Sequence, residues 1–336
     1  HISASKVVIR SLISGTLFKP EIIFTAKTND IKLQTSTVTS SFWKGSYHQD
    51  TISLDTGFAR FENGGFLQVK GDITISSIDS LLSNKGPVLQ FKLSKVPLNI
   101  IEQFLPGFKV QSGTVEGNLD LTLINGSFFS NGTLHLYNGI FLSDYLNKSL
   151  GPINGELVLH EDSLLFKHLT GKVGDGRVSV TGFSVLRPGG KMDINLKISG
   201  KNTSFVITDL IDANFESVNL SFISTGSGYL LDGTVRLGDT RVIRDIRITN
   251  FVKPDEITPA GSREQNPFLQ SLKLKIKIEL QENLFIDMNL GNMQLDGQVA
   301  LSGTASNPGV TGEINIMEGY IYYLDRQFII SKGIVN

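Results

Sequence analysis

The chain has 336 residues, no cysteine and a formal net charge of −1. This composition excludes a disulfide scaffold and thiolate metal sites, and it predicts no electrostatic footprint for nucleic acid or for an anionic membrane surface. Glycine is abundant at 34 residues, which favours many strands with tight turns. No run approaches the roughly 18 apolar residues of a membrane-spanning helix. Because the chain begins at His1 without a signal peptide, we expect a fragment or processed form that lacks any anchor or targeting sequence of the full-length protein.

The first 106 residues have an uneven strand pattern. The run Lys6–Arg10 predicts a strand, and Asn63–Gly65 predicts a hairpin turn. Two short helices are predicted, one over Ser77–Leu82 and one over Pro97–Leu105, where a proline stands in the first turn. Residues 1–106 therefore form a β-rich N-terminal segment with short helices, which either continues or caps the structure that follows.

Apolar and polar residues alternate regularly over residues 107–250. Such alternation predicts strands with one apolar face and one wet face. The apolar positions of this segment are Val115, Leu119, Leu121, Leu123, Leu134, Leu136, Leu157, Leu159, Val178, Val180, Val235 and Leu237.

Asn-Gly and Asp-Gly pairs predict two-residue turns between consecutive strands, and such turns make the strand pairing antiparallel. The pairs begin at Asn125, Asn131, Asn138, Asn154, Asp175, Asp232 and Asp296.

Residues 251–270 interrupt the alternation. Prolines and charged residues without periodicity predict a surface loop. Alternation then resumes over residues 271–336. The apolar face of this last segment is predicted to contain Leu272, Leu274, Ile276, Ile278, Leu284, Ile286, Met288, Val299, Leu301, Ile314 and Ile316.

Three architectures accommodate a long series of one-sided strands. Two sheets can pack face to face in a sandwich, a single sheet can close into a barrel, or an elongated sheet can fold its apolar side into a groove. One Trp and seven Tyr are a poor supply for the aromatic girdles of a membrane barrel. The pattern alone favours the sandwich and the elongated sheet equally, and it leaves the barrel open as the less favoured third architecture.

The C-terminal residues resemble the end of TamB-type proteins, which belong to the AsmA-like bridge family of Gram-negative envelopes. The resemblance covers residues 107–336, and its middle part includes Leu157–Leu159 and the glycine-bounded strand Gly174–Gly182. The matching C-terminal positions are Leu301, Gly303, Ala305, Pro308, Val310, Gly312, Ile314, Ile316, Gly319, Phe328, Ile330 and Gly333.

The resemblance implies an all-β fold, an elongated, curled antiparallel sheet that forms a U-shaped hydrophobic groove (a β-taco), with one or two short helices. It implies a periplasmic location, with an inner-membrane anchor outside this chain. The implied function is to carry phospholipid or another acyl-chain lipid between the inner and outer membranes for outer-membrane biogenesis, and the groove residues are those given above. An alternative is assembly of outer-membrane β-barrel proteins or autotransporters, together with a barrel partner of the TamA or BamA type.

The residues indicate no catalytic chemistry. His160 and His168 lack the spacing of metal ligands, and Gly174–Gly176 is followed by no helix that would make it a phosphate loop. We expect a non-enzyme with no catalytic residue, no cofactor, no metal and no nucleic-acid partner. The lysines Lys273, Lys275 and Lys277 are expected to lie on the wet face.

Overall fold

The fold is all-β. The computed structural model describes residues 3–32, 36–74, 88–104, 108–124, 127–143, 146–187, 192–207, 211–243, 267–281, 284–289, 291–323 and 326–335. Within these residues, 21 strands belong to a single sheet. The described helices are a 3-10 helix at Leu98–Phe104 and a short α-helix, α1, at Pro267–Ser271, and none is long and apolar enough to cross a bilayer. The all-β prediction is therefore confirmed.

The chain divides into two compact units. The first unit contains His1–Leu142, Gly151–Leu169 and Phe183–Lys191, and the second contains Ser143–Leu150, Thr170–Gly182 and Met192–Asn336. The four segments predicted from the sequence are a different kind of division, and their boundaries stay a prediction.

Seven strands of the first unit pair consecutively, each antiparallel to the next. They are β1 (Ser3–Thr16), β2 (Lys19–Lys32), β3 (Thr37–His48), β4 (Thr51–Phe61), β5 (Phe66–Thr74), β6 (Val88–Pro97) and β7 (Phe108–Ile124). The sheet continues with β8 (Ser127–Ser143), β9 (Leu146–Glu161), β10 (Ser163–Val173) and β11 (Gly176–Leu186).

The residues of β8 to β11 are divided between the two units, and ten further strands lie wholly within the second unit. They are β12 (Met192–Ile207), β13 (Ile211–Thr225), β14 (Gly228–Leu237), β15 (Thr240–Ile243), β16 (Leu272–Glu279), β17 (Leu284–Met288), β18 (Gly291–Gly303), β19 (Pro308–Tyr323), β20 (Arg326–Ile330) and β21 (Gly333–Val335). Most pairs are antiparallel, as predicted. The pairs β14–β16 and β15–β17 are parallel. A parallel pair needs a crossover connection instead of a hairpin turn, which turn residues alone do not predict.

Several turn predictions are wrong. Asn63–Gly65 and Asp175 do lie at turns, and Asn125 lies outside the described residues. The pairs that begin at Asn131, Asn138, Asn154, Asp232 and Asp296 lie inside strands.

Gly297 gives the physical reason for the misplaced turns. Its φ is +137°, and a Cβ at this position would overlap the backbone carbonyl of Glu313 on the neighbouring strand. Gly312, with φ +151°, has the same relation to the carbonyl of Gln298. Glycine is needed here because two backbones approach closely inside the sheet. In the sequence, an Asp-Gly or Asn-Gly pair at such a position looks the same as one at a turn.

The predicted helices have mixed outcomes. The 3-10 helix coincides with the helix predicted over Pro97–Leu105. The helix predicted over Ser77–Leu82 lies outside the described residues. The predicted loop lies outside them as far as residue 266, and its last residues belong to α1.

Candidate functional site

The strands of the first unit align their apolar residues in continuous rows. Across β1 to β7, one row runs through Ile9, Ala26, Trp43, Gly57, Val69, Phe91 and Leu119. The next row on the same face runs through Ser11, Phe24, Gly45, Leu54, Gly71, Leu89 and Leu121. No charged residue occupies either row. The N-terminal strands therefore continue the apolar face predicted from residue 107 onward.

Glycines in these rows make room for large side chains. A Cβ at Gly57 would overlap the Trp43 ring, and a Cβ at Gly45 would lie 3.0 Å from the ring of Phe24. The two aromatic side chains therefore fold down over their glycine neighbours instead of standing upright from the sheet. The surface of the face at these positions is therefore formed by aromatic rings.

The 3-10 helix covers one end of this face. Leu98 is 2 % exposed, and it belongs to a buried cluster with Val38, Phe61, Val96, Val110, Val115 and Leu136. Its side chain occupies the space above Gly113 and Gly139, where an added Cβ would lie 2.7 Å and 3.1 Å from Leu98 Cδ1. The N-terminal segment thus both continues the face and caps one end of it.

The predicted lining residues of the first unit divide accordingly. Val115 and Leu136 are buried in the capped cluster, and Leu134 and Leu157 pack against it. Leu119, Leu121 and Leu159 are half-buried. Leu123 lies in β7.

The second unit has an equivalent apolar face. One row runs through Ile198, Leu220, Gly233, Ile276, Leu301 and Val310 on β12, β13, β14, β16, β18 and β19. A parallel row runs through Gly200, Val218, Val235, Ile278, Val299 and Gly312. These rows also contain no charged residue.

The register brings the other predicted residues of the second unit to the same face. Leu274 pairs with Leu231, Ile316 with Leu295, and Ile286 with Met293. The face further includes Leu272, Leu284, Met288, Ile314 and Leu237. On β11, Gly182 lies against Leu196 of this face. Because side chains alternate along a strand, Val178 and Val180 lie on the same face as Gly182. Most of these side chains are half-buried.

A row of charged residues on β14 and β16 lies on the opposite face of the second unit. Glu279 lies 3.2 Å from Arg236 Nη2 and 3.1 Å from Lys277 Nζ. The hydrogen bond from Lys277, together with Arg236, holds the pKa of the Glu279 carboxyl below its ordinary value, although desolvation acts in the other direction. Over this face opens a cavity of about 920 Å³ with Lys275, Lys277, Asp232 and Glu313 at its walls. The predicted wet-face position of these lysines is confirmed.

The comparison with known families agrees with the strand pattern. Residues 167–336 match the TamB C-terminal domain. The chain belongs to the TamB family. No curated protein and no solved structure matches it significantly. As a member of the TamB family, it is a protein of the cell envelope.

The TamB motif residues occupy consistent places in this family member. Leu301, Val310, Gly312, Ile314 and Ile316 lie on the apolar face of β18 and β19. Pro308 begins β19 directly after a turn in which Asn307 N–H donates to the Thr304 backbone oxygen at 3.1 Å. Gly319 lies inside β19 opposite Ile330, and Gly333 begins β21.

Sequence reasoning missed the apolar positions of β1 to β6 in this TamB-family chain. Leu89, Phe91 and Leu93 alternate strictly with polar residues, and this signal was sufficient to find them. Trp43 was harder to assign because Ser41 and Gly45 flank it on the same face. The histidines His160 and His168 are exposed on β9 and β10, and the described residues include no group of three potential metal ligands.

Proposed function

We propose that the two apolar faces bind acyl chains, and that the protein carries phospholipids between the inner and outer membranes for outer-membrane biogenesis. The observation that supports this proposal is the absence of charge along rows that cross six or seven strands. A periplasmic site of action and an inner-membrane anchor elsewhere in the full-length protein are part of the proposal, as is a non-catalytic role without cofactor or metal.

The physical reason is the free energy of burying hydrocarbon. Each methylene that leaves water contributes about 0.8 kcal/mol, so an uncharged row stabilises an acyl chain along its whole length. Polar anchors such as Thr28 and Ser41 are few and buried in the first unit. A tail bound by such a face is held evenly and is free to slide, while its head group stays in water.

Photo-crosslinking from paired positions tests the proposal. A photoreactive residue at Ile276 or Leu121 lies on an apolar face, whereas one at Lys275 or Asp120 lies on the opposite face of the same strand. We expect radiolabelled phospholipid to be recovered from positions 276 and 121 and not from 275 and 120. Equal recovery from both faces, or from neither, refutes the proposal.

A second function is favoured by the outer strand edge of the second unit. The long strand β19 pairs on one side with only five residues of β20 and three of β21. Ile329 and Ile334 are exposed there. An incompletely paired, apolar edge is able to add a strand of a client protein by β-augmentation.

In this alternative the protein assists insertion of outer-membrane β-barrel proteins, with a TamA- or BamA-type partner. Crosslinking distinguishes the two functions. A photoreactive residue at Ile329 that captures client strands, while Ile276 captures no lipid, favours the assembly function over lipid transport.

A further inference from the structure

The wet face of β1 to β3 carries a cluster of cations, which we call the basic patch: Lys6, Arg10, Lys27 and Lys44. Lys27 lies directly opposite Val8 on β1 and Phe42 on β3. Lys6 and Arg10 flank Val8, and Lys44 follows Phe42 by two residues, so all three are diagonal neighbours of Lys27 at Cα separations of about 7–8 Å.

The basic patch lacks compensating carboxylates. None of its four cations lies within ion-pair distance of a carboxylate among the described residues, and the nearby Glu21 is paired with His48 at 3.2 Å. A cavity of about 460 Å³ over the patch is lined by Lys6, Arg10 and Lys27 and by no acidic residue. Like charges at this spacing repel each other, and an anionic ligand would relieve that repulsion. The formal net charge of the whole chain is −1, so this local excess of positive charge cannot be seen from the overall charge.

Exposed apolar side chains adjoin the patch on the same hairpin. Leu12 and Ile23 pair directly on the wet face and are 67 % and 52 % exposed. At the hairpin tip, Leu17 and Phe18 are each 92 % exposed. The pair between β2 and β3 that lies nearest the tip is Ile22 with Tyr47, so the tip extends beyond the part of the hairpin that pairs with β3. Contiguous exposed apolar groups mark an interaction surface, and free phosphate would make no use of them.

We propose that the β1–β2 hairpin docks on an anionic phospholipid bilayer. The apolar end of the hairpin enters the boundary between head groups and acyl chains, and the basic patch binds lipid phosphates. Interfacial segments combine the same two elements, with apolar groups buried about 5–10 Å deep and cations attracted to anionic lipid. Lys27 Nζ is held 5.4 Å from the centroid of the Phe42 ring, which places a cation at the centre of the patch. This surface is separate from the apolar faces and lies outside the matched TamB domain.

Vesicle sedimentation tests this proposal. The intact chain is mixed with vesicles of phosphatidylcholine alone, or of equal parts phosphatidylcholine and phosphatidylglycerol, at about 0.1 M and about 1 M salt, where the screening length falls from about 10 to about 3 Å. We expect binding only to the anionic vesicles, and weaker binding at high salt. Each cation near the surface strengthens binding about fivefold. The double variant Lys6→Gln/Lys27→Gln should therefore bind about 25-fold more weakly.

Two further variants keep the result specific. Lys273→Gln/Lys275→Gln removes the same charge from the wet face of the second unit and should change binding less than about twofold. Leu12→Ser/Ile23→Ser retains the patch and should also weaken binding, because the apolar contribution is lost. Equal loss in the control variant, or no effect of the serine substitutions, overturns the proposal. It is also overturned if the serine variant dissociates an oligomer in solution, because the surface then joins two copies of the chain.

Discussion

Replacing Leu301 with arginine is the sharpest test of acyl-chain binding. Its row crosses six strands, and strands lie about 4.8 Å apart, so the row is about 24 Å long. The hydrocarbon of one bilayer leaflet is about 15 Å thick, so a single tail contacts about four side chains of the row.

The expected loss follows from this geometry. An arginine at position 301 denies the tail contact with roughly three methylenes, which amounts to about 2.4 kcal/mol. Affinity for a fluorescent phospholipid should therefore fall about 60-fold. The matched control is Ser302→Arg, because Ser302 is exposed on the opposite face of the same strand and lies opposite Gly309. Ser302→Arg should bind lipid like the unchanged protein.

The assay needs a parallel measurement of stability. Leu301 is half-buried, so both arginine variants should unfold in urea as cooperatively as the unchanged protein. Undiminished lipid binding by Leu301→Arg refutes the reasoning. If Leu301→Arg instead aggregates, the milder Leu301→Ser decides: unfolding of this variant as well shows that the face is a closed core and not a binding surface.

Three further predictions concern stability. Leu98→Ala should lower the free energy of unfolding by about 2–5 kcal/mol in urea denaturation, because Leu98 is 2 % exposed in the capped cluster; a change below about 1 kcal/mol would show that the cap is loose. Gly297→Ala should lower the free energy of unfolding by about 1–3 kcal/mol, because position 297 has a positive φ and an added Cβ would overlap the Glu313 carbonyl. Gly226→Ala should leave it unchanged, because nothing lies within 4 Å of a Cβ added there. Equal effects of the two substitutions would contradict this account of the glycines. The carboxylate of Glu279 has a lowered pKa, so its stabilisation is present above its ordinary pKa of 4.5 and is lost as the pH falls through the folded-state value. Glu279→Gln should lower the free energy of unfolding by less than about 1 kcal/mol at pH 7, and this effect should shrink as the pH falls below 4.5. An effect that does not change with pH would exclude the ion pairs as its cause.

The sequence by itself determined the fold class and the composition of the faces. Side chains alternate with a period of two in a strand, so the order Leu272, Lys273, Leu274, Lys275 assigns each residue to a face before any partner strand is known. The register then aligned these faces, because a slip by one residue would expose every apolar side chain of a strand.

Only the tertiary structure decided which glycines turn the chain and which lie within strands. Asp175 and Asp296 each precede a glycine, but the first pair lies at a turn, whereas Gly297 faces the carbonyl of Glu313 about 16 residues along the chain. The same holds for the cap. Gly113 and Gly139 are small because Leu98 from the 3-10 helix lies above them, and this contact between distant residues leaves no periodic signal in the sequence. Alternation is a local property of the chain, whereas the approach of two backbones depends on both of them.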